Sequence, residues 1–206
     1  VLVVLPFIMR NRFRDLRTTK FRFHGCRALV QFSAQLCWMY GIIHLTLSDL
    51  TAIEFTVPVF TAVLAVMFLG ETMWRHKWIA TLLGFVGVLI ILQPEGSAFS
   101  VAGFVMLLGS ALYAGSGIFV KYLTRTDTPQ GIIFYMNAMQ LPLGLIPAVF
   151  IFEWVTPAPT DIPWILAWGL SGLFAHYTMA RALKLADITI IFPLDFLRLP
   201  LMALLG

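Results

Sequence analysis

The segment that decides the fold reads LTLSDLTAIEFTVPVFTAVLAVMFLGE, from Leu45 to Glu71. Its apolar block, residues 50–69, has the length that an α-helix needs to cross the hydrocarbon core of a bilayer, roughly 20 residues. The block contains the acid Glu54 and the proline Pro58, and both residue types are costly inside a helix in lipid. We therefore expect a membrane-spanning helix that is interrupted by proline and carries a charged candidate for function.

The rest of the chain repeats this pattern. Apolar residues make up 60% of the 206 residues and charged residues 12%, against roughly 25% charged in soluble domains. Further apolar blocks cover residues 28–44, 78–92, 102–120, 132–152, 162–180 and 188–206, after a first run, residues 1–8, that is too short to span. Open sheet edges cannot be left in lipid. We therefore predict an all-α, polytopic transmembrane helical bundle.

Basic residues occur in every second loop. Residues 10–27 carry seven Lys and Arg, and the later loops of the same parity carry Arg75 and Lys77, Lys121 and Arg125, and Arg181 and Lys184. The alternate loops, around residues 48–49, 93–100 and 153–161, carry only acids. The positive-inside rule then places the 10–27 loop in the cytoplasm, and the net charge of +4 needs no nucleic-acid partner. We predict an integral protein of the plasma (inner) membrane.

A short sequence repeat accompanies these charges. Leu45–Thr51 matches Leu183–Thr189, and each copy leads into a helix interrupted by proline, at Pro58 or at Pro193 and Pro200. The loop charges put Asp49 outside and Asp187 inside, so the two copies have opposite orientation. Inverted repeats of this kind are common in secondary transporters.

The motifs resemble the EamA repeats of the drug/metabolite transporter superfamily. Leu47-Ser48-Asp49, Pro58–Leu64, Phe68–Glu71 and Gly84–Leu89 resemble the first repeat, and Ala180–Asp187 with Leu199-Pro200-Leu201 resembles the second. The resemblance implies ten helices in two inverted five-helix repeats. On that pattern the chain begins late in helix 2 and stops within helix 9. Residues 1–96 would be the N-terminally truncated first repeat and 97–206 the C-terminally truncated second.

Three charged residues stand out inside predicted spans: Glu54, Asp195 and Arg198. Charges in spans are costly and are functional candidates by default. Asp195 and Arg198 are three residues apart, so they share a helix face, either as a structural pair or as a site for a charged substrate. Glu54 has no base one turn away in its helix. It therefore faces a polar cavity, pairs across helices or is protonated, unless it lies at the outer membrane interface.

Polar residues in other spans are weaker candidates. They could line a solute path or make hydrogen bonds between helices. They are Gln31, Gln35, Asn137, Gln140 and His176, and Pro58 joins them because proline frees backbone carbonyls. The resemblance implies a central site between helices 3, 4, 8 and 9 of the full fold. Those are the spans of Gln31 and Gln35, of Glu54 and Pro58, of His176, and of Asp195 and Arg198.

Enzyme signatures are weak or missing. The sequence has no Walker-type phosphate loop and no Cys/His spacing for zinc, so we predict no cofactor and no metal site. Gly169-Leu170-Ser171-Gly172 matches the GxSG of rhomboid proteases, but His176 lies about 140° round the same helix and cannot face Ser171. We predict no catalytic residues.

The sequence predicts a secondary transporter of small metabolites that works by alternating access, with amino-acid-like solutes as the first candidates. Riboflavin, nucleotide-like and sugar-nucleotide solutes are alternatives, and so is a membrane interaction protein without transport. The expected partners are the lipid bilayer and the solute, with protons and a second copy of the chain as further candidates.

Overall fold

The computed structural model describes residues 18–92, 99–150 and 156–199, and within these ranges the regular structure is entirely helical. The described helices are α1 Phe21–His44, α2 Leu47–Leu69, α3 Arg75–Leu92, α4 Val101–Leu123, α5 Pro129–Phe150, α6 Ile162–Leu185 and α7 Ile188–Leu197. This confirms the all-α prediction. The predicted residues 1–8 and Pro200 lie outside the described ranges.

Within the described ranges, each predicted apolar block from residue 28 onward coincides with one helix, and several helices are longer than their blocks. Residues 151–152 and 200–206 of the predicted blocks lie outside those ranges. α1 begins at Phe21 rather than at residue 28, and α6 ends at Leu185 rather than at 180. The added turns carry charged residues. The helices extend past their apolar blocks because backbone hydrogen bonds do not require apolar side chains. Among the described helices, α2, α4 and α5 are long and apolar enough to cross a membrane by length and composition.

α2 is interrupted at the position that its proline dictates. Regular α-helix covers Leu47–Glu54 and resumes at Val57–Leu64, and a π-helical turn, Ala65–Leu69, ends it. Pro58 has no N–H and its ring clashes with the carbonyl four residues earlier, that of Glu54. The carbonyl of buried Ile53 accepts hydrogen bonds from the hydroxyls of Thr56, at 2.6 Å, and Ser110, at 3.1 Å. The break thus falls directly after Glu54.

α7 is also irregular. Asp187 precedes it in an extended conformation, Ile188–Ile191 is α-helical, and Phe192–Leu197 forms a 3₁₀-helix. Pro193 stands at the change of helix type, which agrees with the predicted interruption. Arg198 follows directly, with helical backbone angles.

The chain divides into two compact units. One comprises the described residues up to Ala28 and those of Leu123–Leu185, and the other comprises Leu29–Tyr122 and the described residues from Ala186. In the first unit, Ile133 packs with Leu173 and Tyr177. The second has two core clusters, one around Leu50, Ile53 and Met106 and one around Phe55, Val88 and Leu199. These units are defined by packing, so the predicted division into sequence repeats at residues 96 and 97 stays a prediction.

Candidate functional site

The three charged residues predicted inside spans meet in the second unit. Nη2 of Arg198 donates to Oε1 of Glu54 at 3.0 Å and lies 3.6 Å from Oδ2 of Asp195. Glu54 is the last residue before the break in α2, and the two other residues lie at the end of α7. Of the alternatives open for Glu54, the structure has the cross-helix ion pair, and it has the intrahelical Asp195–Arg198 contact as well. We name Glu54, Asp195 and Arg198 the ionic triad.

Aromatic rings surround the ionic triad. The indole N–H of Trp38 in α1 donates to Oε2 of Glu54 at 3.4 Å. The guanidinium of Arg198 lies over the ring of Phe55, 4.9 Å from its centroid, within the range of a cation–π interaction. Phe55 in turn stacks on Phe196 with centroids 5.9 Å apart. The site therefore combines charge with flat apolar surface.

Glycine makes room for this arrangement. A Cβ added to Gly84 of α3 would lie under 3.0 Å from three ring carbons of Phe196, so only glycine fits without a shift. Gly87, one turn further along α3, has no such neighbour within 4 Å. Gly84 thus sets how closely α7 approaches α3, and through Phe196 it sets the position of Phe55 below Arg198.

The ionic triad is only partly buried. The side chains of Glu54, Arg198 and Asp195 are 31%, 40% and 41% exposed. With both acids ionised the triad carries one net negative charge. Nε of Arg198 is buried and has no hydrogen-bond partner among the described residues. The Nε donor of the guanidinium is therefore unused, while Glu54, Asp195 and Phe55 contact the rest of the group.

A second polar cluster in the same unit fixes the start of α7. The carboxylate of Glu71 accepts hydrogen bonds from the backbone N–H groups of Ile188, at 3.1 Å, and Thr189, at 3.2 Å. It also accepts one from the hydroxyl of Thr189 at 2.9 Å. The first N–H groups of a helix lack intrahelical acceptors, and an anion there is stabilising. Gly70 lets the chain reach this point, because it adopts a left-handed φ of 66° directly after α2.

Two lysines complete this cluster. Nζ of Lys77 donates to the hydroxyl of Thr189 at 2.9 Å and lies 3.4 Å from Oδ2 of Asp187. Nζ of Lys121 donates to the carbonyl of Ala186 at 2.6 Å. The sequence indicated Glu71 only as part of a motif and the lysines only as loop charges. Their convergence on the start of α7 was not predicted.

The first unit holds another buried polar group. Nε2 of His24 is 2.7 Å from Oδ2 of Asp127, in the loop after α4, and the hydroxyl of Thr18 donates to the same oxygen at 2.7 Å. Burial lowers the pKa of His24 below its ordinary 6.5, although Asp127 opposes this. Burial alone would raise the pKa of Asp127, but hydrogen bonds from His24 and Thr18 outweigh it and hold the pKa below 3.8. A neutral imidazole therefore donates to a carboxylate at neutral pH.

The remaining predicted residues have varied surroundings. In the second unit, Gln31 and Pro58 are buried, but Gln35 is exposed although it lies one turn from Gln31. In the first unit, the side-chain amide of Asn137 donates to the carbonyl of Ile133 in its own helix at 2.8 Å, and Nε2 of Gln140 is buried without a partner among the described residues. His176, also of the first unit, is half-buried. Their roles in a solute path stay predictions.

Ser171 of the GxSG motif is exposed and its hydroxyl donates to the carbonyl of Trp168 in its own helix at 2.9 Å. A nucleophilic serine would instead donate to a basic side chain. This local hydrogen bond indicates that the small residues of the GxSG motif form part of a helix surface.

Known proteins with similar sequences are transporters. The family model of the EamA-like transporter family matches residues 1–93. A riboflavin transporter of Rhizobium johnstonii is 30% identical over 98% of this chain and 67% of its own length. A riboflavin transporter of Brucella anthropi is 29% identical over 100% of this chain and 74% of its own length. An S-adenosylmethionine uptake transporter of Rickettsia bellii is 29% identical over 98% of this chain and 69% of its own length.

A protein of known crystal structure has the same fold. Its TM-score to this chain is 0.77 over 95% of this chain and 69% of the other, at 13% identity, which shows the fold alone. Helical fold, apolar helices and sequence relatives together define an integral membrane transporter of small metabolites rather than an enzyme. The chain belongs to the EamA-like transporter family.

Proposed function

We propose that this protein is a secondary transporter, working by alternating access, for a solute that combines an amino-acid-like charged group with an aromatic ring system. The ionic triad is the observation that carries this proposal. It offers acceptors for a cation and a fixed guanidinium for a carboxylate, and the partly exposed ring of Trp38 lies beside it. Most of the solute's other surface would contact apolar helix faces, as is usual in ligand sites.

The charges favour a zwitterion or a cation. The α-carboxylate of the solute would bind the exposed part of the Arg198 guanidinium, whose planar fork matches carboxylate geometry. Its ammonium group would bind Asp195, the more weakly held of the two acids. Each new contact replaces part of an existing ion pair, so binding loosens the tie between α2 and α7. A solute that opens a cross-helix contact on binding is suited to alternating access.

S-adenosylmethionine has this chemistry, because it carries an amino-acid head, a positive sulfonium and an adenine ring. Its net positive charge complements the net negative charge of the ionic triad, and relatives in Rickettsia are S-adenosylmethionine uptake transporters. Riboflavin is the second candidate, supported by relatives of 29% and 30% identity. It is uncharged at neutral pH and would use the aromatic surface alone. Sugar nucleotides fit less well, since their phosphates would face two carboxylates.

Uptake into proteoliposomes that contain the full-length protein tests the proposal. We expect saturable uptake of labelled S-adenosylmethionine, competition by excess unlabelled S-adenosylmethionine, and strong loss of uptake with Arg198→Gln. Saturable riboflavin uptake that is unaffected by Arg198→Gln would select the second candidate. Uptake of neither compound, in protein that remains folded, would contradict both.

Further properties belong to the same proposal. The loop charges support a plasma-membrane protein with the 10–27 loop in the cytoplasm, in two inverted repeats. A proton gradient is the proposed energy source, with Glu54 as the protonatable group. A homodimer is a further expectation carried from the sequence, and its test is the mass of the purified protein in detergent.

A further inference from the structure

A cavity of about 430 Å³ lies in the first unit, apart from the ionic triad. Its walls come from the start of α5, with Thr128, Pro129 and Gln130, and from the last turns of α6, with Tyr177, Arg181, Lys184 and Leu185. Its volume falls within the range of about 300–1,000 Å³ that is usual for small-ligand sites. Neither the family assignment nor the proposed transport mechanism gives this cavity a role.

The cavity is positively charged. Arg181 and Lys184 are three residues apart on α6 and so lie on one face, where like charges repel each other. Both are exposed, and among the described residues neither forms an ion pair. The guanidinium of Arg181 lies over the ring of Tyr177, 6.0 Å from its centroid. None of the described residues that line the walls is acidic, so nothing among them balances the two cations.

Neutral hydrogen-bonding groups accompany these cations. The side-chain amide of Gln130 lies 3.4 Å from the hydroxyl of Tyr177, a long contact that either group can exchange for a ligand oxygen. Cations, a phenol and an amide in one cavity are the groups that bind phosphate oxygens. The ligand that this chemistry fits is an anionic phosphate group.

The rim of the cavity indicates where the phosphate comes from. Leu185 lines the cavity and is 83% exposed, so an apolar chain can continue from the site along the protein surface. The loop charges place this end of α6 at the cytoplasmic membrane surface, which is the level of lipid headgroups and carries anionic lipid. We propose that the cavity binds the phosphate of an anionic phospholipid headgroup, held by Arg181 and Lys184.

Native mass spectrometry of the full-length protein, titrated with phosphatidylglycerol or phosphatidylcholine, tests this proposal independently of transport. The double variant Arg181→Gln/Lys184→Gln should weaken phosphatidylglycerol binding by roughly 10- to 30-fold, from the usual contribution of a basic residue at a charged membrane surface. The matched control is Arg22→Gln/Arg75→Gln, which removes two exposed cations outside the cavity and should change binding little. Phosphatidylcholine should bind equally weakly to all three proteins.

Three outcomes would overturn the proposal. Equal losses in both double variants would show attraction by overall charge and no site. Unchanged phosphatidylglycerol binding in Arg181→Gln/Lys184→Gln would exclude the cavity. Binding of inorganic phosphate as tight as that of phosphatidylglycerol, and lost in the same variant, would show a free-phosphate site and exclude the lipid. The charge-preserving variant Arg181→Lys/Lys184→Arg, which should keep most of the binding, separates loss of charge from loss of fold.

Discussion

Glu54 and Arg198 are 144 positions apart in the chain, and their side chains meet at 3.0 Å. Glu54 precedes the break in α2 and Arg198 follows the irregular helix α7, so the ion pair connects two interrupted helices. Asp195 is the more distant partner, at 3.6 Å. Because Arg198 contacts both acids and Asp195 is its more distant partner, we expect different losses of transport when each residue is neutralised.

Arg198→Gln should lower the transport rate the most, because it leaves two carboxylates without their cation. A hydrogen bond to a charged group contributes about 1.5–3 kcal/mol, and partial exposure reduces that figure. We therefore expect roughly tenfold slower transport for Arg198→Gln and a smaller loss for Asp195→Asn. Asp161→Asn, in an exposed loop position, is the control. Initial uptake rates at equal protein level give the measurement, and equal rates in all three variants would exclude a role for the pair.

Glu54→Gln tests proton coupling. Glutamine mimics the protonated acid and can still accept the hydrogen bond from Arg198. The variant should lose accumulation driven by a pH gradient, while binding and passive exchange of the solute remain. Both are measured in proteoliposomes with and without the gradient. If the variant still accumulates solute with an unchanged pH profile, Glu54 has a structural role and is not the coupling residue.

Gly84→Ala should impair transport more than Gly87→Ala. The new methyl group at position 84 collides with the ring of Phe196, which must shift away from Phe55 below Arg198. Overpacking of this kind costs about 1–3 kcal/mol. Position 87 has open space, so its variant controls for the change in helix propensity. Thermal unfolding and uptake rates check the prediction, and equal behaviour of the two variants would mean that α7 adapts without cost.

Glu71→Ala should destabilise the protein by about 1–2 kcal/mol, because it removes the acceptor for three hydrogen bonds at the start of α7. The unfolding midpoint should fall by roughly 2–4 °C for each kcal/mol. Thr72→Ala, at the exposed neighbouring position, should have little effect. A midpoint that is lowered equally by both substitutions would point to the turn backbone and not to the carboxylate.

The loop charges predict which side of the membrane each loop faces. In a chain with Cys26 and Cys37 replaced by alanine, a cysteine at Arg17 should react with an impermeant thiol reagent only from the cytoplasmic side. A cysteine at Thr160 should react only from the opposite side. Labelling of both positions from one side would reject the topology and the inverted repeat together.

Sequence patterns predicted the helices well, because twenty-residue apolar blocks and prolines act locally. The interruption of α2 follows from Pro58 alone, and the Asp195–Arg198 contact follows from their spacing of three residues. A cross-helix partner was one of four alternatives for Glu54, since no local pattern identifies a partner 144 positions away. Hydrophobicity also placed the start of α1 at residue 28 and not at Phe21, because it detects the membrane core rather than the helix end.

The contacts of Glu71 show what such patterns miss. A Gly-Glu pair after a helix predicts a turn, but nothing near it in the chain indicates that its carboxylate binds Ile188 and Thr189, 117 and 118 positions later. The same holds for His24 and Asp127, 103 positions apart. These pairings depend on which helices pack together. Local sequence patterns do not contain that information.

The bond from Glu71 to the start of α7 crosses the predicted boundary between the two repeats. On the predicted division, a carboxylate from the first repeat accepts hydrogen bonds from the backbone of a helix in the second. A conformational change that separates the end of α2 from the start of α7 has to break these three hydrogen bonds, so the two helix ends move as one piece as long as the cap holds.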